Sequence, residues 1–171
     1  MMKVINNYNL YEFESKSEFE KYTKVNKITL LNEDCVNQKK FYGISTDTIE
    51  SIFIGIVGEE HGIDPLLQVV ERENCILLSI DEKVYCVGLT HYELIWAKEM
   101  NSLVFEILKS TNSPILILCE LGVVCMTYSG EKLWEHISDV ITDYSLENNS
   151  LRLTTDDEDY YILLENGNII L

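Results

Sequence analysis

The feature that most constrains this chain is an internal repeat. Residues Ile76-Leu-Leu-Ser-Ile-Asp-Glu-Lys-Val-Tyr-Cys86-Val lie over Ile115-Leu-Ile-Leu-Cys-Glu-Leu-Gly-Val-Val-Cys125-Met at an offset of 39. Hydrophobic strand, acidic turn and second hydrophobic strand coincide throughout. Trp96 and Trp134 follow at an offset of 38. A third copy sets Tyr160-Tyr-Ile-Leu over Val123-Val-Cys-Met at an offset of 37, which also puts Gly167 over Gly130. A fixed period of roughly 20–50 residues marks repeated supersecondary units that bury their apolar faces against one another.

In each unit a strand, a tight turn and a second strand lead toward a stretch such as Gly130-Glu-Lys-Leu-Trp134. That order resembles the blades of β-propellers of the quinoprotein and WD-repeat kind. The resemblance covers residues 66–171, and three units are fewer than the four blades of the smallest closed propellers. No Trp-Asp dipeptide ends a unit and no Gly-His pair opens one, so no binding residue is carried over. The expected fold is mainly β, of α+β type. An antiparallel meander of about three propeller-like strand repeats fills residues 66–171, with a small α+β portion over residues 1–65, the two forming one compact unit.

Within residues 1–65, Ser15-x-x-Glu18 and Ser17-x-x-Glu20 both fit the capping-box pattern, with Phe19 and Tyr22 on one helical face. They predict a helix over 16–24. A second helix is expected from Asp47, because Ile49, Ile52, Phe53, Ile56 and Val57 fall at the spacing of an apolar stripe. Gly58 and Gly62, with Pro65 beyond, would end it.

Composition narrows the function. The 171 residues carry 13 basic and 29 acidic side chains, a net charge of −16. That balance argues against a nucleic-acid binder, since phosphate affinity rests mostly on Lys and Arg. An anionic membrane surface is disfavoured for the same reason. No apolar run approaches the roughly 20 residues of a membrane span, and the start of the chain has no signal core. The expected setting is the cytoplasm. Five cysteines, an odd number without a Cys-x-x-Cys pair, agree with a reducing compartment and free thiols. The sequon Asn148-Asn149-Ser150 reads as chance without a secretory signal. One alanine and two arginines against 19 isoleucines and 13 asparagines point to an AT-rich bacterial or phage genome.

Chemistry-bearing motifs are absent: no Walker loop, no Gly-x-Ser-x-Gly, no His-Glu-x-x-His. No paired ligand spacing suggests zinc. Asp156-Asp157-Glu158-Asp159 lacks the glycine and glutamate of an EF-hand and reads as a hairpin turn. No metal or other cofactor is expected. Glu59, Glu60 and His61 are the one place where a small-ligand or hydrolase site could sit, with Glu59 and His61 as an acid–base pair. His91 and His136 read as ordinary packed or half-exposed residues beside aromatic strands, and Trp96 and Trp134 as structural.

Charge is the remaining signal. Residues 111–171 hold 11 acidic side chains against two basic ones. The expected function is a non-enzymatic, acidic protein-binding module. Its partner-binding residues are Asp139, Asp143, Asp156, Asp157, Glu158 and Asp159, and its partner is a basic protein. In size, charge and lack of motifs the chain looks like bacterial immunity proteins, which implies neutralisation of a cationic toxin such as a nuclease. A phage-encoded inhibitor of a host defence protein fits the same features.

Overall fold

The computed structural model describes residues 2–5, 7–25, 28–46, 48–109, 114–147 and 149–170. Four sheets account for most of them. The first has strands β1 (Met2–Ile5), β2 (Tyr8–Glu12), β3 (Thr29–Leu31), β4 (Lys40–Ser45) and β5 (Ile54–Gly58), in the order β1-β2-β4-β5-β3. All its pairings are antiparallel except β3 with β5.

The other three sheets are the sequence repeat made visible. β6 (Leu66–Val70), β7 (Cys75–Ile80), β8 (Lys83–Gly88) and β9 (Leu94–Glu99) form one. β10 (Val104–Lys109), β11 (Ile115–Cys119), β12 (Gly122–Met126) and β13 (Lys132–Ile137) form the next. β14 (Ile141–Glu147), β15 (Ser150–Thr155), β16 (Asp159–Leu163) and β17 (Ile169–Ile170) form the last. In each, neighbours in sequence are neighbours in the sheet, the arrangement of a propeller-like blade. β7, β8, β11 and β12 are buried on both faces, which is why they read as unbroken apolar runs.

The chain divides into two compact units, Met1–Ala97 and Lys98–Leu171, with the division inside β9. In the N-terminal unit, Leu10, Tyr42, Ile44, Ile54 and Ile56 of the first sheet share a core with Ile76, Leu78, Ile80, Tyr85 and Val87 of the second. The opposite face of the first sheet packs Phe13, Phe41 and Val57 with Phe19 of helix α1 (Lys16–Val25). Ser15 starts that helix, its Oγ accepting from the Glu18 amide at 3.2 Å, while Glu18 reaches back to the Glu14 amide. Only the first of the two capping-box patterns acts as a cap, since Glu20 pairs with Lys24 instead. In the C-terminal unit, Leu116, Leu118, Val123 and Cys125 pack with Ile141, Leu151, Leu153 and Ile162.

The second predicted helix is not there. Asp47, its expected cap, lies outside the described residues. Ile49–Ser51 make one 3-10 turn, and Ile54–Gly58 is strand β5, between β4 and β3. All five β5 residues are buried, and a strand covered on both faces mimics a helical stripe because every position is apolar. Its β-branched content favours the strand, and Gly55 weakens a helix there. A Cβ at Gly55 would stand 2.9 Å from Phe19 Cζ of the helix and 2.8 Å from Leu30 Cδ2 of the neighbouring strand β3, so glycine is what lets both side chains close over β5. All five cysteines are free thiols, and four are buried. Burial alone pushes the Cys125 thiol up to about 12, leaving it inert near neutrality.

Candidate functional site

The acidic residues of the C-terminal unit divide between the two ends and one face of its sheets. One end is built from the 120–121 turn, the 138–140 loop and the 156–158 turn. Backbone hydrogen bonds stitch the first two together: Ile141 donates to the Glu120 carbonyl at 2.9 Å, and Ser138 to the Leu121 carbonyl at 3.2 Å. Ile141 lies opposite Thr155, which brings the 156–158 turn to the same end. Thr155 closes that turn, its amide and hydroxyl both donating to the Glu158 carbonyl while its Oγ1 accepts from the Glu158 amide.

This rim carries Glu120, Asp139, Asp156, Asp157 and Glu158, all exposed. None of the residues that build it is Lys or Arg. Tyr160 stands beside them, donating its hydroxyl to Glu158 at 2.7 Å. That bond, partial burial, and the nearby charges of Glu158, Asp139 and Asp157 hold the phenol above its usual range. Its ring also packs on His136, 5.0 Å between centroids.

Asp143 and Asp159 lie elsewhere. They flank Thr154 across β14, β15 and β16, on the face of the last sheet that points away from its core. Asp159 is committed to structure: Arg152 Nη2 donates to it at 2.6 Å and the Thr154 hydroxyl at 2.7 Å. The Arg152 and Thr154 hydrogen bonds, followed by the guanidinium charge, hold its carboxyl below the usual range. Four of the six residues expected from sequence, Asp139, Asp156, Asp157 and Glu158, therefore converge, and two do not. Glu120 escaped sequence reasoning, although it occupies the acidic-turn position shared by Asp81 and Asp157 in the repeat. The sequence marks Tyr160 only as a strand residue.

The alternative site lies in the N-terminal unit, just after β5. His61 Nε2 is 3.3 Å from Glu59 Oε2, and the Cys35 thiol is 3.9 Å from Glu59 Oε1. Glu60 pairs with Lys39 at 3.6 Å. The carboxylate, not the imidazole, thus faces the thiol. Burial first, then the charges of Glu59 and Asp81, push Cys35 above its usual range, the reverse of what a nucleophile requires. Among the described residues no group of three or more His, Cys, Asp or Glu side chains is placed to hold a metal ion.

No family model and no curated protein matches the chain. Solved structures do resemble it. The computationally designed Ika8 protein superimposes on 99% of this chain with a TM-score of 0.56 at 12% identity, and the match covers 47% of that protein. The N-terminal domain of Nup159, a β-propeller, covers 61% of this chain at a TM-score of 0.46 and 10% identity. Hsv2 of Kluyveromyces lactis covers 63% at 0.40 and 12%. The chain spans about a third to a half of the length of these structures. The likeness concerns fold alone. No helix is long and apolar enough to cross a membrane among the described residues.

Proposed function

We propose that this chain is a non-enzymatic protein-binding module whose C-terminal unit docks onto a basic protein through the rim of Glu120, Asp139, Asp156, Asp157 and Glu158. One observation carries the reading: five exposed carboxylates from three separate segments share one end of the sheets, with no cation among the residues that build it. Concentrated like charge costs stability by self-repulsion, and a complementary surface relieves it while speeding encounter. A toxin or a defence protein with a cationic active surface has the matching chemistry, and sequestering it in the cytoplasm would make this chain an immunity protein or inhibitor. The raised Cys35 thiol and the carboxylate standing between it and His61 weigh against a hydrolase at Glu59, Glu60 and His61.

Affinity capture from cells that carry the gene tests this, with the wild-type chain and the Asp139→Asn, Asp156→Asn, Asp157→Asn variant run in parallel. The expected result is a basic protein retained by the wild type and lost by the variant. Equal retention by both would overturn the rim as the docking surface.

A further inference from the structure

The rim of the C-terminal unit carries a second feature that charge does not explain. Leu121, Ile137 and Val140 are 37%, 68% and 46% exposed. The backbone draws them to one edge of the acidic group. Ile137 lies opposite Gly122 across β12 and β13, the Ser138 amide meets the Leu121 carbonyl, and Val140 precedes the Ile141–Glu120 hydrogen bond. The blade does not need aliphatic groups at these places. At the offsets of the repeat, 39 for the turn and 38 for the stretch around Trp134, the same positions hold Glu82, Glu99 and Ser102, and Glu158 stands 37 residues after Leu121. Exposed aliphatic side chains bordered by charged ones are the anatomy of an interface centre with a polar rim.

Resting on the reading of the acidic rim as a docking surface, we propose that Leu121, Ile137 and Val140 form its apolar centre. The occupant is a protein segment that presents an aliphatic side chain flanked by Lys or Arg. Glu120 and Asp139 border the patch in sequence and space, so an apolar group arriving without positive neighbours would strip water from carboxylates it could not pair. A second copy of this chain is a poor occupant, because its net charge of −16 repels its own kind. In this arrangement the carboxylates set how fast the partner arrives and the aliphatic contact sets how long it stays.

Two nine-residue peptides test the proposal, each with four lysines on either side of a central residue, leucine in one and serine in the other. They are titrated into the isotope-labelled full chain at physiological salt while amide signals are followed. Both should shift signals at 120–122, 138–140 and 156–158. The leucine peptide should bind about fivefold tighter, and Ile137→Thr with Val140→Thr should abolish that preference without changing the affinity of the serine peptide. Threonine suits strand and edge positions, and the variant's own spectrum reports its fold. Equal affinity of the two peptides with shifts on the rim, or a preference that survives the double substitution, would overturn the apolar centre and leave the acidic surface standing. Shifts from neither peptide on the rim would overturn both.

Discussion

A single buried nitrogen illustrates how residue chemistry shapes this protein. His136 Nε2 is enclosed without a hydrogen-bond partner, its ring tilted against Tyr160. Burial holds the imidazole below its usual value, so the unfolded chain takes up a proton that the folded one resists. The sign follows directly. Above the unfolded value of about 6.5 the residue is neutral in both states and adds no pH dependence, and stability is lost as pH falls through that value toward the lower folded one. We predict that thermal unfolding midpoints fall between pH 7.5 and pH 5.5, and that His136→Phe flattens this step. The carboxylates held low by cations, Asp34 by Lys83, Glu20 by Lys24 and Asp159 by Arg152, act in a separate and more acidic window, where their protonation removes stability. An unchanged pH profile in His136→Phe would show that another group carries the acid sensitivity.

At the scale of elements, the repeat has a recurring left-handed turn before its fourth strand. Gly130 and Gly167 occupy it at φ 84° and 74°, and the equivalent residue 38 positions before Gly130 is Tyr92, at φ 54°. Each glycine is explained by an aromatic neighbour or by its φ. A Cβ at Gly167 would stand 2.7 Å from the Trp134 ring, and Trp134 Nε1 donates to the Leu164 carbonyl of the same turn at 3.0 Å. Tyr92 inverts that arrangement. Phe53, just before β5, supplies the partner ring, and Tyr92 brings its own ring to stack on it at 3.7 Å, with the Thr29 hydroxyl donating to the Tyr92 carbonyl. A bulky residue in left-handed backbone costs about 1–2 kcal/mol, offset here by the stack. Replacing Tyr92 by alanine loses the ring and keeps the strain, whereas glycine loses the ring and relieves it. Tyr92→Gly should therefore be about 1 kcal/mol more stable than Tyr92→Ala in urea unfolding, reversing the usual strand order. The usual order, with alanine above glycine, would contradict the account.

The same elements show what the sequence made legible. The hairpins β7–β8, β11–β12 and β15–β16 were readable because apolar runs with an acidic turn between them recur at nearly constant spacing. Helix α1 was readable from Ser15 and Glu18. β5 was not, because uniform burial removes the alternation that separates a strand from a helix. Nor could the pairing of Asp159 with Arg152 be seen, since it depends on cross-strand register rather than on neighbours in sequence. The rim itself was half legible: Asp156, Asp157 and Glu158 are adjacent, but Glu120 and Asp139 join them only through the folded backbone. Conversely, Glu131, Glu147 and Glu165, which crowd the same stretch of sequence, lie away from the rim: Glu131 in the turn before β13, Glu147 at the far end of β14 and Glu165 in the turn after β16.

For the whole molecule, the central claim is that its surplus of acid is organised for recognition. A diffuse excess would serve solubility, and its neutralisation at any one place would leave association with a basic protein nearly unaltered. An organised rim behaves differently. The direct measurement is the association rate with the purified captured partner, for the wild type and for the Asp139→Asn, Asp156→Asn, Asp157→Asn variant. Salt is raised from about 0.1 M to about 1 M, over which the screening length drops from about 10 Å to about 3 Å. The account predicts a wild-type rate that falls by about tenfold or more across this range, and a variant that starts near the wild type's high-salt rate and changes little. Equal rates for the two proteins at low salt, with no dependence on ionic strength, would contradict it.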